Sequence, residues 1–122
     1  MANNPVCWFE IHVQDMERAR AFYQSVFQVE LARLGGDPEM WAFPGATDTH
    51  GAPGALVRMA GFPPGGNSVV VYFACADCAV PAARVAAAGG KVVREKSGIG
   101  EYGFIALALD SEGNMIGLHS LA

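Results

Sequence analysis

Apolar and polar residues alternate along Trp8-Phe9-Glu10-Ile11-His12-Val13, the two-residue period of a strand with one buried face. The pattern predicts a strand over Val6–Val13, with Trp8, Glu10 and His12 sharing one side. At Asp15 the period changes. From Met16 to Phe27 the positions Met16, Ala19, Phe22, Tyr23, Val26 and Phe27 fall on one stripe of a helix, and Asp15 is placed to cap it. Short strand-like runs follow at Val29–Leu34, Met40–Phe43 and Ala55–Met59. They are separated by the turn Gly35-Gly36-Asp37-Pro38 and by a Gly/Pro/Thr loop over Pro44–Pro53. Trp41 and Phe43 share one face of their strand and Met40 and Ala42 the other, which reads as core or cleft wall.

The same order then returns. Val71-Tyr72-Phe73-Ala74-Cys75-Ala76 leads into Asp77, which predicts a strand over Ser68–Cys75 and a helix from Asp77 to about Ala88. Alanines and Val85 form the inner face of that helix, and Gly89-Gly90 stops it. Strands are expected at Lys91–Glu95, Gly103–Leu109 and Met115–Ser120, with Asp110-Ser111-Glu112-Gly113-Asn114 as the turn between the last two. The pattern is βαβββ, twice. It predicts one α+β domain over residues 1–122, with module one at about 5–60, a linker at about 61–67 and module two at about 68–122. One helix covers only one face of a four-stranded sheet, so the other faces must line or bury something. Two curled sheets set against each other leave a cleft, the default binding site of such an architecture.

Composition narrows the function classes. Hydrophobic residues make up 52% of the chain and charged ones 16%, which argues for a packed core and against disorder. The net charge of −4 and the lack of a basic stripe argue against a nucleic-acid partner. No apolar run approaches the roughly 18 residues that suggest a membrane span. The N-terminal Met-Ala-Asn-Asn-Pro has neither the basic nor the apolar region of a signal peptide, so the expected location is cytoplasmic. Cys7, Cys75 and Cys78 are an odd count without that signal, which argues against a disulfide framework. The Cys75-Ala76-Asp77-Cys78 spacing has no second pair to make a zinc site and reads as structural thiols.

The ordered elements resemble the vicinal oxygen chelate superfamily of glyoxalase I, bleomycin-resistance proteins and extradiol dioxygenases. The residues that carry the resemblance are Phe9–Val13 leading to Asp15, Arg18-Ala19, Phe22-Tyr23 and Val26-Phe27. Module two adds Val71-Tyr72-Phe73 leading to Asp77, then Ala88-Gly89-Gly90 and Asp110–Asn114. The likeness covers almost the whole chain and is closest to glyoxalase-like proteins related to lactoylglutathione lyase. One departure is Gln28, where the family usually ends the first helix with Gly. The resemblance implies a homodimer and a curled, cleft-bearing mixed sheet.

In metal-dependent members, the first and last strand of each module supplies a His or Glu ligand, and the metal acts as a Lewis acid. Counted from the Asp caps and the Gly113 turn, those positions here are Trp8, Arg58, Val71 and Gly117, with the register of Arg58 open by one. None is an ordinary ligand for a divalent cation, so no cofactor is expected at the usual place. Glu10 and His12 lie beyond Trp8 on its face, and His119 beyond Gly117. These three form either a displaced metal site, an acid–base group, or hydrogen-bonded cleft and interface residues. Trp8 offers a stacking surface and Gly117 a close backbone approach. The glycine-rich Ser97–Phe104 segment brings Glu101 and Tyr102 toward the cleft, or is a plain connection; Ala46–His50 reads as solvated. Candidate acid–base residues are therefore Glu10, Glu101 and His119. Candidate ligand-lining residues are Trp8, Glu10, His12, Arg58, Val71 and Phe73, joined by Glu101, Tyr102, Gly117 and His119. Three functions stay open: a metal-free small-molecule binder, a superfamily lyase, isomerase or dioxygenase, and a non-catalytic structural or regulatory module.

Overall fold

The computed structural model describes residues 4–46 and 48–122, so the reading of Met1–Asn3 as free of a leader and of Thr47 as solvated lies outside the described residues. Module one contains β1 (Phe9–His12), α1 (Met16–Phe27), β2 (Ala32–Leu34), β3 (Glu39–Ala42) and β4 (Gly54–Arg58). Module two contains β5 (Gly66–Ala74), α2 (Ala79–Ala82), β6 (Lys91–Gly98), β7 (Phe104–Leu109) and β8 (Asn114–Ser120). Each module folds into its own four-stranded mixed sheet, in the orders β1-β4-β3-β2 and β5-β8-β7-β6. The first and last strands pair in parallel, Ile11 beside Leu56 and Phe73 beside Leu118, and the other pairs are antiparallel.

The helical stripe explains why the modules cohere. Ala19, Phe22, Tyr23 and Val26 of α1 have no exposed surface. They join Ile11 and Leu56 of module one and Val85, Ala108 and Ile116 of module two in a single core cluster. Each large apolar side chain buried in this way contributes about 1.5–3 kcal/mol. Phe9, Tyr23, Phe27, Phe43 and Phe73 form the aromatic centre, with Phe27 and Phe73 stacked at 4.4 Å and Phe9 edge-on to Phe73 at 6.1 Å. Phe9 and Phe73 lie on the edge strands of different sheets, so this contact runs along the seam between the modules.

Polar groups fix the same seam. Asp110, only 3% exposed, accepts hydrogen bonds from the Tyr23 hydroxyl (2.5 Å), the backbone N–H groups of Glu112 and Asn114 (2.8 Å each) and Asn114 Nδ2 (2.9 Å). Burial, reinforced by Asp110, pushes the Tyr23 phenol well above its ordinary pKa, so it stays a donor. Glu112 reaches across to the start of α1 and accepts from the Gln14 and Asp15 N–H groups at 3.0 and 2.9 Å.

Both helix starts use their Asp. Asp15 Oδ1 accepts from Arg18 N at 3.0 Å and Asp77 Oδ1 from Ala79 N at 3.0 Å. The expected second helix to Ala88 is corrected: regular α-helix ends at Ala82. Beyond it the chain closes partly through tighter bonds, Arg84 N to Pro81 O and Val85 N to Ala82 O. Gly90 is required where the chain turns back, because a Cβ there would meet the Leu109 carbonyl at 2.3 Å.

Gln28 ends α1 in the left-handed region, with φ 56° and ψ 48°, and its side chain donates to Ser25 O at 2.7 Å. The side-chain bond offsets part of the cost of a Cβ in that conformation. Gln28→Gly is expected to raise stability by about 0.5–1 kcal/mol. Urea unfolding checks this; a loss would mean that the bond to Ser25 outweighs the strain.

Candidate functional site

Strand alternation decides which side chains leave the core. Ile11 pairs with Leu56 inside the core, so Trp8, Glu10 and His12 project from the opposite, open face of sheet one. The Trp8 indole donates to Glu10 Oε2 at 3.1 Å, and the His12 ring stacks on Phe62 at 5.3 Å. Ile116 and Leu118 point into the core, so Gly117 and His119 occupy the open face of sheet two. Gly117 is needed there because Tyr72, its neighbour on β5, lies across it: a Cβ would come within 2.3 Å of the Tyr72 ring.

Arg58 lies away from the seam cavities, whereas Val71 and Phe73 border them from the core side of β5. Val71 and Phe73 pair with Ile116 and Leu118 and therefore face the core, while Tyr72 takes the open face. Arg58 is aligned with Leu56 on the helix side of β4, and its Nε donates to Gln14 O at 3.0 Å beside the start of α1. The open-face residues of β4 are Ala55 and Val57, both fully covered, and neither is a metal ligand. A shift of one residue turns a strand side chain to the other face, which accounts for both corrections.

His119 Nε2 bonds the Tyr102 carbonyl at 2.6 Å, and since a carbonyl only accepts, that nitrogen carries the proton. Glu101 and Tyr102 form part of a 3-10 turn at Gly100–Tyr102, with both side chains exposed. Among the described residues no three His, Cys, Asp or Glu side chains lie together as a metal-ligand group, so Glu10, His12 and His119 do not converge.

What the fold does bring together is the seam between β1 and β5. One cavity there, of about 420 Å³, is walled by Phe9, Phe43, Phe73 and Tyr72 and closed by the loop from Pro44 to Gly54. A second, of about 260 Å³, lies between Glu10 and His12 on one side and Ser68 and Met115 on the other. Val71 lines both. Ala46, Asp48, Thr49 and His50 are exposed as expected, and Thr49 and His50 also border the larger cavity. The aromatic positions were visible as strand and helix stripes, but their convergence depends on the pairing of the two modules.

The bleomycin resistance protein-like N-terminal family model matches residues 6–32. TnmS3, an antibiotic binding protein from Streptomyces sp. CB03234, is 27% identical over 100% of this chain and 99% of its own, with a TM-score of 0.70. A glyoxalase-related enzyme from Fulvimarina pelagi is 18% identical, with coverage of 97% and 88% and a TM-score of 0.73. Glyoxalase I from Zea mays is 22% identical over 96% of this chain and 46% of its own, with a TM-score of 0.74. The fold is that of the vicinal oxygen chelate superfamily. No curated protein matches the chain in sequence. Of the positions where the resemblance places metal ligands, Trp8 and Gly117 stand on the open face, Arg58 and Val71 do not, and none of the four is an ordinary ligand for a divalent cation.

Proposed function

We propose that the protein binds a small organic molecule with a flat apolar portion and holds it without turnover. The observation that carries this reading is the seam cavity of about 420 Å³ walled by Phe9, Phe43, Phe73 and Tyr72. Its size and aromatic lining suit a small planar ligand. The antibiotic-binding neighbour, similar along its whole length, supports the same class of function. The scattered placement of Glu101, His119 and Glu10 favours binding over acid–base chemistry, which needs its groups within hydrogen-bond reach of one reacting atom. A homodimer and a cytoplasmic location belong to the same proposal. No helix of the described residues is long and apolar enough to cross a membrane.

The test is calorimetric titration with a panel of planar aromatic compounds, followed by mass analysis of the recovered ligand. Saturable binding with the ligand unchanged is expected. Ala52→Trp, in the loop that walls the cavity, should weaken binding at least tenfold and leave the far-UV spectrum unaltered. Chemical conversion of the ligand would replace this reading with an enzymatic one.

A further inference from the structure

The larger seam cavity meets β5 along its edge rather than on one of its faces. Val71, Tyr72, Phe73 and Ala74 all border it, although their side chains alternate between the core and the open face. Consecutive residues reach one space in this way where the hydrogen-bonding edge of the strand is turned toward it.

That edge has no strand beside it. β5 is the outermost strand of sheet two, in the order β5-β8-β7-β6. In a parallel pair, alternate residues send both N–H and C=O to the neighbouring strand, and the residues between them send both the other way. Cys75 N–H donates to the His119 carbonyl at 2.8 Å, so Cys75, Phe73 and Val71 are the residues whose backbone turns to β8. Tyr72 and Ala74 therefore present their N–H and C=O groups outward, to the seam. Both residues are exposed and both line the cavity.

The side chains leave polar recognition largely to this edge. Among the described residues that line the cavity there is no Asp, Glu, Lys or Arg, so no side chain pairs a charged group there. Thr49, His50 and Tyr72 carry the polar side chains, and the Thr49 hydroxyl donates to Ala46 O at 3.5 Å. Phe9, Phe43 and Phe73 supply half-buried aromatic surface around the same space.

We infer that the ligand of this cavity carries a hydrogen-bond donor and an acceptor side by side on a flat ring, as a cyclic amide does, and pairs with the free edge of β5 at Tyr72 or Ala74. One extended residue offers its N–H and C=O on the same side, the pair that two antiparallel strands exchange. A ring amide, whose N–H and C=O also point the same way, returns both bonds as an added strand would, while its ring packs against the phenylalanines. The inference rests on the small-molecule reading above and adds the polar chemistry of the ligand to it.

The experiment compares 2-quinolone, a flat cyclic amide, with 1-methyl-2-quinolone, which keeps the rings and the carbonyl and lacks the N–H. Each is titrated into the intact chain and followed by two-dimensional amide NMR. 2-Quinolone should bind about tenfold more tightly, as expected for the loss of paired neutral bonds, and should move the amide proton of Tyr72 or Ala74 downfield. Equal or tighter binding of the methyl compound overturns the inference and leaves the aromatic-cavity reading in place. A preference for 2-quinolone with both amide signals unmoved puts the site elsewhere and also overturns it. Binding of neither compound removes the aromatic-cavity reading together with the inference.

Discussion

Asp110→Ala is expected to cost about 4 kcal/mol, a large share of the stability of a small domain, because several donors lose their acceptor together. The Tyr23 hydroxyl, the Glu112 and Asn114 N–H groups and Asn114 Nδ2 all converge on this one carboxylate. Tyr23 has no exposed surface and Asp110 3%, so water does not readily take the place of the lost oxygens. The effect also spreads beyond the turn. Asn114 holds the β1 carbonyl of His12 and the linker N–H of Gly65, so a loosened hairpin loosens the seam. Tyr23→Phe removes one donor and leaves Asp110 its other three partners, so it should cost only about 1–1.5 kcal/mol. Urea unfolding of both single variants and the double variant checks this. Because Tyr23 and Asp110 share a bond, the double variant should fall short of the sum. Additive losses, or an Asp110→Ala cost below about 1 kcal/mol, would show that the network is not closed to solvent.

The elements themselves were largely legible. The 12 residues of α1 fall where the stripe from Met16 to Phe27 places them, since a helix with five buried positions and an Asp cap is overdetermined locally. The β7–β8 turn is likewise carried by Asp110 through its own neighbours, Glu112 and Asn114. What failed was whatever depends on one residue of register or on a distant partner. Val71 was assigned to the open face by counting back from Asp77, but its pairing with Ile116 turns it to the core and gives the position to Tyr72. Arg58 was misassigned in the same way, one residue past Val57. The cavity walls were illegible for a different reason. Phe43 and Phe73 are ordinary core residues within their own modules, and become walls only because β1 and β5 meet without hydrogen-bonding to each other. Regular α2 ends at Ala82 although alanine content favoured a longer helix, because the chain beyond it closes partly through i to i−3 bonds, Arg84 N to Pro81 O and Val85 N to Ala82 O.

Acidification should open the same seam from its other polar anchor. The Glu112 side chain is fully covered and accepts from Arg18 Nε at 2.6 Å and Nη2 at 2.9 Å, in addition to the Gln14 and Asp15 N–H groups. Burial alone would raise its pKa, but the bonds from Arg18, from the Asp15 and Gln14 N–H groups and from Ser111 outweigh it and hold the carboxyl at about 2, against an ordinary 4.5. A pKa lowered on folding means that the unfolded chain binds the proton first. The stabilisation is therefore complete above about pH 4.5 and is lost as pH falls from there toward 2. Arg18 is half exposed, which screens its share, so the contribution near neutral pH is about 2 kcal/mol rather than the larger figure the shift alone would give. Glu112→Gln should remove that increment at pH 7 and flatten the acid limb of the stability curve between pH 4.5 and 2. Because Gln keeps one acceptor for the helix N–H groups, α1 should remain formed, and the loss should appear as weaker docking of the two modules. Urea midpoints at pH 7, 4 and 2.5 for both proteins decide it. Parallel curves would mean that Glu112 holds α1 by shape alone, whereas convergence at the acid end identifies its charge as the clasp between hairpin and helix.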